Sequence, residues 1–193
     1  MKRRTFFELG VAGIGATAIP QTAWALKYYP NPSDKKWAVL YATWCGTARD
    51  AAVWVSEGMG GIADVFDVRE KPDLRGFDHI VVGSAIRMGK VAPDLQRYLE
   101  ENRPWLKDKV RGLYTVCGNM QRPVTPEVVQ SQITDHLAPL CGVRDVPAHV
   151  FLGRVTPILL ALDVRDMMKP MGEYDNLKRP DCMGFGREVL SRM

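Results

Sequence analysis

Apolar positions follow two rhythms that take turns along the chain. A continuous run, WAVLYA from Trp37 to Ala42, has the length of a buried strand. It is followed over Thr47–Gly58 by Ala51, Ala52, Trp54 and Val55, a spacing that predicts a helix, and Gly58, Gly60 and Gly61 then end it. Residues 62–68 alternate apolar and polar and predict a second strand. Residues 78–84 (DHIVVGS) form a third, nearly continuous run, the pattern of a central strand covered on both faces. A loop is expected over 85–90. Val91, Leu95, Tyr98 and Leu99 then predict a helix over 91–102. A fourth strand is expected at 110–116, and a helix at 126–140 with Thr125 as N-cap and Pro126 at its first position. A fifth strand follows at 146–152. Residues 156–168, with Ile158, Leu159, Leu160, Leu162, Met167 and Met168, predict an apolar helix that covers the fifth strand. A second reading makes it an apolar surface for a membrane quinone or a partner. A polar stretch at 173–182 leads to a last helix at 184–193.

Strands that alternate with helices predict an α/β protein with a parallel sheet and right-handed crossovers. In such sheets ligands bind beyond the C-terminal strand ends, near the switch point in strand order. Three loops meet that condition: 43–47, 84–89 and 117–119. In the first, a strand passes through a short turn containing Gly46 into a helix, which aims backbone N–H groups at a phosphate.

Composition narrows the function. The 193 residues are 46% hydrophobic and 25% charged, ordinary for one globular domain. The net charge is +4, of which residues 1–25 carry +2. The remaining +2 is far from the basic excess of a nucleic-acid-binding protein. Residues 1–25 have the layout of an export signal: basic Lys2, Arg3 and Arg4, an apolar middle from Leu9 to Ile19, then Pro20 and the small-x-small site Ala23-Trp24-Ala25. The apolar part is too short for a permanent transmembrane anchor. The arginine pair with Thr5, Phe6 and Phe7 resembles a twin-arginine signal, with an ordinary secretory signal as the other reading. The resemblance implies export through the twin-arginine machinery to a periplasm. Residues 26–35 are expected to be an extended linker, and residues 36–193 the folded domain.

At the three loops the chain resembles the flavodoxin-like family, and within it the branch that includes menaquinone-dependent protoporphyrinogen oxidase. TWCGTA at 43–48 sits where flavodoxins carry a hydroxyl-rich phosphate loop. GSAIRMGKVAPDLQRYLEEN at 83–102 resembles the branch's segment after the third strand. VFLGRV at 150–155, with the apolar stretch and MKPMGEYDNLKRPD that follow, resembles its tail. The resemblance implies a three-layer fold with a five-stranded parallel sheet in the order 2-1-3-4-5 and one bound FMN. It implies that backbone N–H groups of Trp44, Cys45, Gly46, Thr47 and Ala48, with the hydroxyls of Thr43 and Thr47, hold the phosphate. Ser84, Ala85, Ile86, Arg87, Met88 and Gly89 would border the flavin ring on one side, and Cys117, Gly118 and Asn119 on the other. Arg87 would stabilise the reduced anion. Such a protein passes electrons between a reduced substrate and a quinone or redox protein.

Two other readings stay open. Cys45 and Ala48 stand where flavodoxins carry hydroxyl residues, so the chain would be a flavodoxin-fold binding module that has lost FMN. Alternatively, ATWCGTA resembles the thioredoxin turn, with Gly142 to Pro147 resembling the stretch that ends in its proline. That would make the chain a thiol-redox protein with one active-site cysteine, since Ala48 replaces the second. The four cysteines admit pairing of Cys45 with Cys117 and of Cys141 with Cys182, or buried thiols. His79, His136 and His149 are isolated, and no spacing predicts a metal site.

Overall fold

The computed structural model describes residues 31–118, 123–168 and 172–193. The expected leader, the first half of the linker and Asn119 lie outside these residues.

The first strand, β1 (Trp37–Ala42), is buried at all six positions. Its side chains divide between two cores, as the two-residue period of a strand requires. Trp37, Val39 and Tyr41 enter one core, and Ala38, Leu40 and Ala42 the other. Next come α1 (Thr47–Gly58), β2 (Ala63–Asp67), β3 (His79–Arg87), β4 (Lys90–Val91), α2 (Pro93–Leu106) and β5 (Val110–Cys117). After them lie α3 (Pro126–Val129), a π-helical stretch Gln130–Leu137 and α4 (Ala138–Cys141), which continue one another. The chain closes with β6 (Ala148–Leu152), α5 (Leu162–Met168) and α6 (Arg179–Ser191). The long strands run parallel in the order β2-β1-β3-β5-β6, and β4 pairs antiparallel with β3. With the two-residue β4 set aside, this is the expected order 2-1-3-4-5. Helices α1 and α6 cover one face, and α2 with the 126–141 helical run covers the other.

Glycines set the closest contacts. A Cβ on Gly83 of β3 would lie 1.9 Å from the ring of Tyr114 on β5. Tyr114 is fully buried across that gap, and its hydroxyl donates to the carbonyl of Ala48 at 3.3 Å. The first turn of α1 is thereby tied to the centre of the sheet.

Several expectations are corrected. Residues 85–87 are strand, not loop: Ile86 pairs with Val91 and Arg87 with Lys90, so only Met88 and Gly89 turn. Both have positive φ, 51° and 76°, the pattern of a two-residue hairpin. The last helix starts at Arg179, well before residue 184. Finally, the segment 156–168 is no core helix. It is a single turn at Pro157–Leu159 followed by α5, and Ile158 and Leu162 are 77% and 74% exposed. The fifth strand is covered instead by Phe185 and Val189 of α6. Cys141 and Cys182 lie in opposite cores and cannot pair, and all four cysteines are free thiols. Burial pushes both of these thiols up to about 12. Among the described residues no helix is long and apolar enough to cross a membrane.

Candidate functional site

The first loop is built by its own side chains and by a distant segment. Gly46 caps α1 with φ of 88°, which favours glycine. Its N–H donates to Thr43 Oγ1 at 3.0 Å, so the Thr43 hydroxyl keeps its own proton for another acceptor. Among the described residues, the amides of Cys45, Thr47 and Ala48 make no hydrogen bond, the normal condition of a helix start awaiting an acceptor. Thr47 differs from expectation. Its hydroxyl donates at 2.8 Å to the carbonyl of Arg154, and the Cys45 thiol donates to the same oxygen at 3.5 Å. A hydroxyl has one proton, so Thr47 in this arrangement offers a phosphate no donor.

The second segment contributes less than a loop would. Ser84 is fully buried. Its hydroxyl donates to the carbonyl of Ala85 and accepts from the N–H of Ala92, which fixes the start of α2. Ala85 and Ile86 pack against the two cores. Arg87 lies over the Trp44 ring, 5.2 Å from its centroid, and so joins the hairpin to the first loop. Met88 is almost fully exposed at the tip beside Gly89. On the third segment, Cys117 pairs in register with Ile86, and its sulfur accepts from Gln132 Nε2 at 3.3 Å. Gln132 also accepts from the buried hydroxyl of Thr115 at 2.9 Å. The Cys117 thiol therefore faces the 126–141 helical run and not a ligand. The three segments do meet at one end of the sheet, but Ser84, Ile86 and Cys117 serve the fold there.

Sequence reasoning missed the strap that follows β6, described over residues 153–168 and 172–176. It crosses back over the strand ends to the first loop. Arg154 pairs with Asp50 in the first turn of α1 and lies 3.7 Å from Asp175. Hydrogen bonding to Asp50 holds its guanidinium above its ordinary value. A Cβ on Gly46 would touch Leu159 at 3.7 Å, and one on Gly118 would meet the Tyr174 hydroxyl at 2.5 Å. The strap is itself braced: Arg165 donates to the carbonyls of Pro157, Ile158 and Leu160. Arg154 follows an apolar strand and a glycine, a signal of a strand end but not of its partner. Two cavities lie elsewhere. One of about 650 Å³ adjoins the start of β6, between Arg103, Ile133 and Arg144. The other, about 440 Å³, lies beside β2 among Arg69, Asp73, Arg97 and Glu101.

The donor set fits a phosphate: free amides at a helix start, one hydroxyl proton on Thr43 and, among the described residues of the loop, no unpaired carboxylate. What borders a planar ring is less complete, because Asn119 is outside the described residues. No curated protein matches the chain in sequence. Solved structures match in fold. Oxidised flavodoxin 1 from Bacillus cereus is 14% identical over 82% of this chain and 99% of its own, with a TM-score of 0.52. A Fusobacterium nucleatum flavodoxin bound to flavin mononucleotide is 11% identical over 82% and 99%, with a TM-score of 0.51. These likenesses establish the fold, and with it the thioredoxin reading falls. A family model described as a flavodoxin domain matches residues 38–174, from the first strand to the far end of the strap. With strand order, loop placement and family model in agreement, the chain belongs to the flavodoxin-domain family.

Proposed function

We propose that the chain is an exported FMN-binding oxidoreductase that passes electrons between a reduced substrate and a quinone or redox protein. One observation carries the reading: the open amides of Cys45, Thr47 and Ala48, with the Thr43 hydroxyl, at the C-terminal end of β1. In this reading these groups bind the FMN phosphate, and the hairpin tip at Met88 and Gly89 with Gly118 lies beside the ring. The flavin, when bound, supplies one- and two-electron chemistry. The protein supplies its orientation, the positive charge of Arg87 and exclusion of water by the strap. Trp44, Met88, Ile158, Leu159 and Leu162 are exposed around this end and offer an apolar face to a quinone or redox partner.

The resemblance of 83–102 and of the tail supports the branch of menaquinone-dependent protoporphyrinogen oxidase, with a porphyrinogen-like reductant. The leader supports export by the twin-arginine route and work in a periplasm. The test is an absorption spectrum and flavin analysis of protein purified from its exported pool. Bands near about 450 nm with stoichiometric FMN are expected of a bound oxidised flavin. Colourless protein that takes up no FMN on titration overturns the reading. It would favour a flavodoxin-fold binding module without cofactor, for which one observation already speaks: the Thr47 proton is held by Arg154.

A further inference from the structure

Arg154 grips the first loop twice. Its carbonyl accepts from Thr47 and Cys45, and its guanidinium pairs with Asp50. Asp50 lies in the first turn of α1, the turn whose amides the FMN reading assigns to a phosphate. A carboxylate there opposes a dianion, because like charges within a few ångströms repel strongly where water is partly excluded. Two cations bracket it. Arg49 takes Oδ1 at 2.9 Å, but its side chain is 48% exposed and its charge well screened. Arg154 takes Oδ2 from a side chain only 25% exposed, so its charge is screened less and acts more strongly on Asp50. Its Nε–H is buried and finds no acceptor among the described residues, so the protein does not fully satisfy this cation.

We propose that Arg154 is a positioning residue for the phosphate: by neutralising Asp50 and closing the strap onto the loop, it makes the site select phosphorylated flavin over riboflavin. The proposal rests on the FMN reading above. It departs from ordinary phosphate recognition in that the selecting residue acts through an acidic neighbour and comes from the strap.

The test is titration of the full mature chain with FMN and, separately, with riboflavin, followed by flavin fluorescence. The wild type binds FMN more tightly than riboflavin. Arg154→Gln lowers FMN affinity by roughly tenfold or more, the scale of one uncovered charge, and leaves riboflavin affinity nearly unchanged. Adding Asp50→Asn to Arg154→Gln restores FMN, and Arg154→Lys retains most of it. Asp50→Asn alone, which does not depend on the folding of an Arg154 variant, tightens FMN and leaves riboflavin where it was. Equal loss of both flavins in Arg154→Gln, or no rescue by Asp50→Asn, would show a packing role and overturn the proposal. So would Asp50→Asn with FMN binding no tighter than wild type. A wild type that binds no FMN defeats the functional reading and this proposal together; a wild type that binds FMN with unchanged selectivity in the variants defeats this proposal alone.

Discussion

His149 is stacked 4.6 Å from Phe151 and 6.0 Å from Phe185, in a setting that has little room for an imidazolium. Burial pulls its pKa below the ordinary 6.5, against the opposing pull of Asp181 and Glu188. At the start of β3, His79 is lowered by burial and by Arg111, and its Nδ1 is buried without a partner among the described residues. The sign follows directly. Below 6.5 the unfolded chain protonates these rings before the folded one does, so it binds more protons and stability falls with pH. The loss begins at the unfolded value and continues down to the lowered folded values. The urea midpoint should therefore drop as pH is lowered from about 7 to about 5, and His149→Phe should flatten that slope. A midpoint flat over this range, or an unchanged slope in the variant, would show that the rings accept their protons in place.

At the scale of elements, α1 and α6 approach until backbone meets backbone. A Cβ on Gly186 would lie 2.2 Å from the carbonyl of Val55, and one on Gly58 would lie 2.2 Å from that of Met183. Neither neighbour is the tip of a flexible side chain, so the helices themselves must separate to admit a methyl group. Gly186→Ala should cost about 2–3 kcal/mol in urea unfolding despite alanine's better helix propensity. A neutral or stabilising result would mean that the pair slides apart easily. This contact was not legible in the sequence, where Gly184-Phe185-Gly186 only open the helix expected at 184–193. Strands were legible because buried parallel strands leave unbroken apolar runs, as Trp37 to Ala42 shows. The end of β3 was not, because its hairpin partner is two residues long and its turn contains Met88, where Asn or Asp is usual. The apolar residues of 156–168 misled for another reason. Pattern tells that Ile158 and Leu162 are apolar, but not that Arg165 braces their backbone so that they face outward.

For the whole molecule, the candidate site belongs to segments far apart in sequence, so its occupancy should report on global stability. Saturation with FMN at about a hundred times its dissociation constant should add about 2.7 kcal/mol and raise the melting temperature with ligand concentration. A melting temperature indifferent to FMN would count against binding to the folded state. The first loop was read from a local motif, and its position at the strand end is as expected. Its completion by Arg154 was hidden, since the two halves of that contact stand 107 residues apart.

That separation has a consequence for how the protein comes into being. Thr43 to Asp50 leave the ribosome early, but the carbonyl that holds Thr47 and the better-buried of the two cations on Asp50 emerge only with the last quarter of the chain. A nascent chain stalled before Arg154 would hold β1 and α1 yet leave Asp50 with Arg49 alone, where the FMN reading places the phosphate. On the FMN reading, cofactor loading would follow synthesis, and a chain cut short before Arg154 is expected to bind FMN poorly.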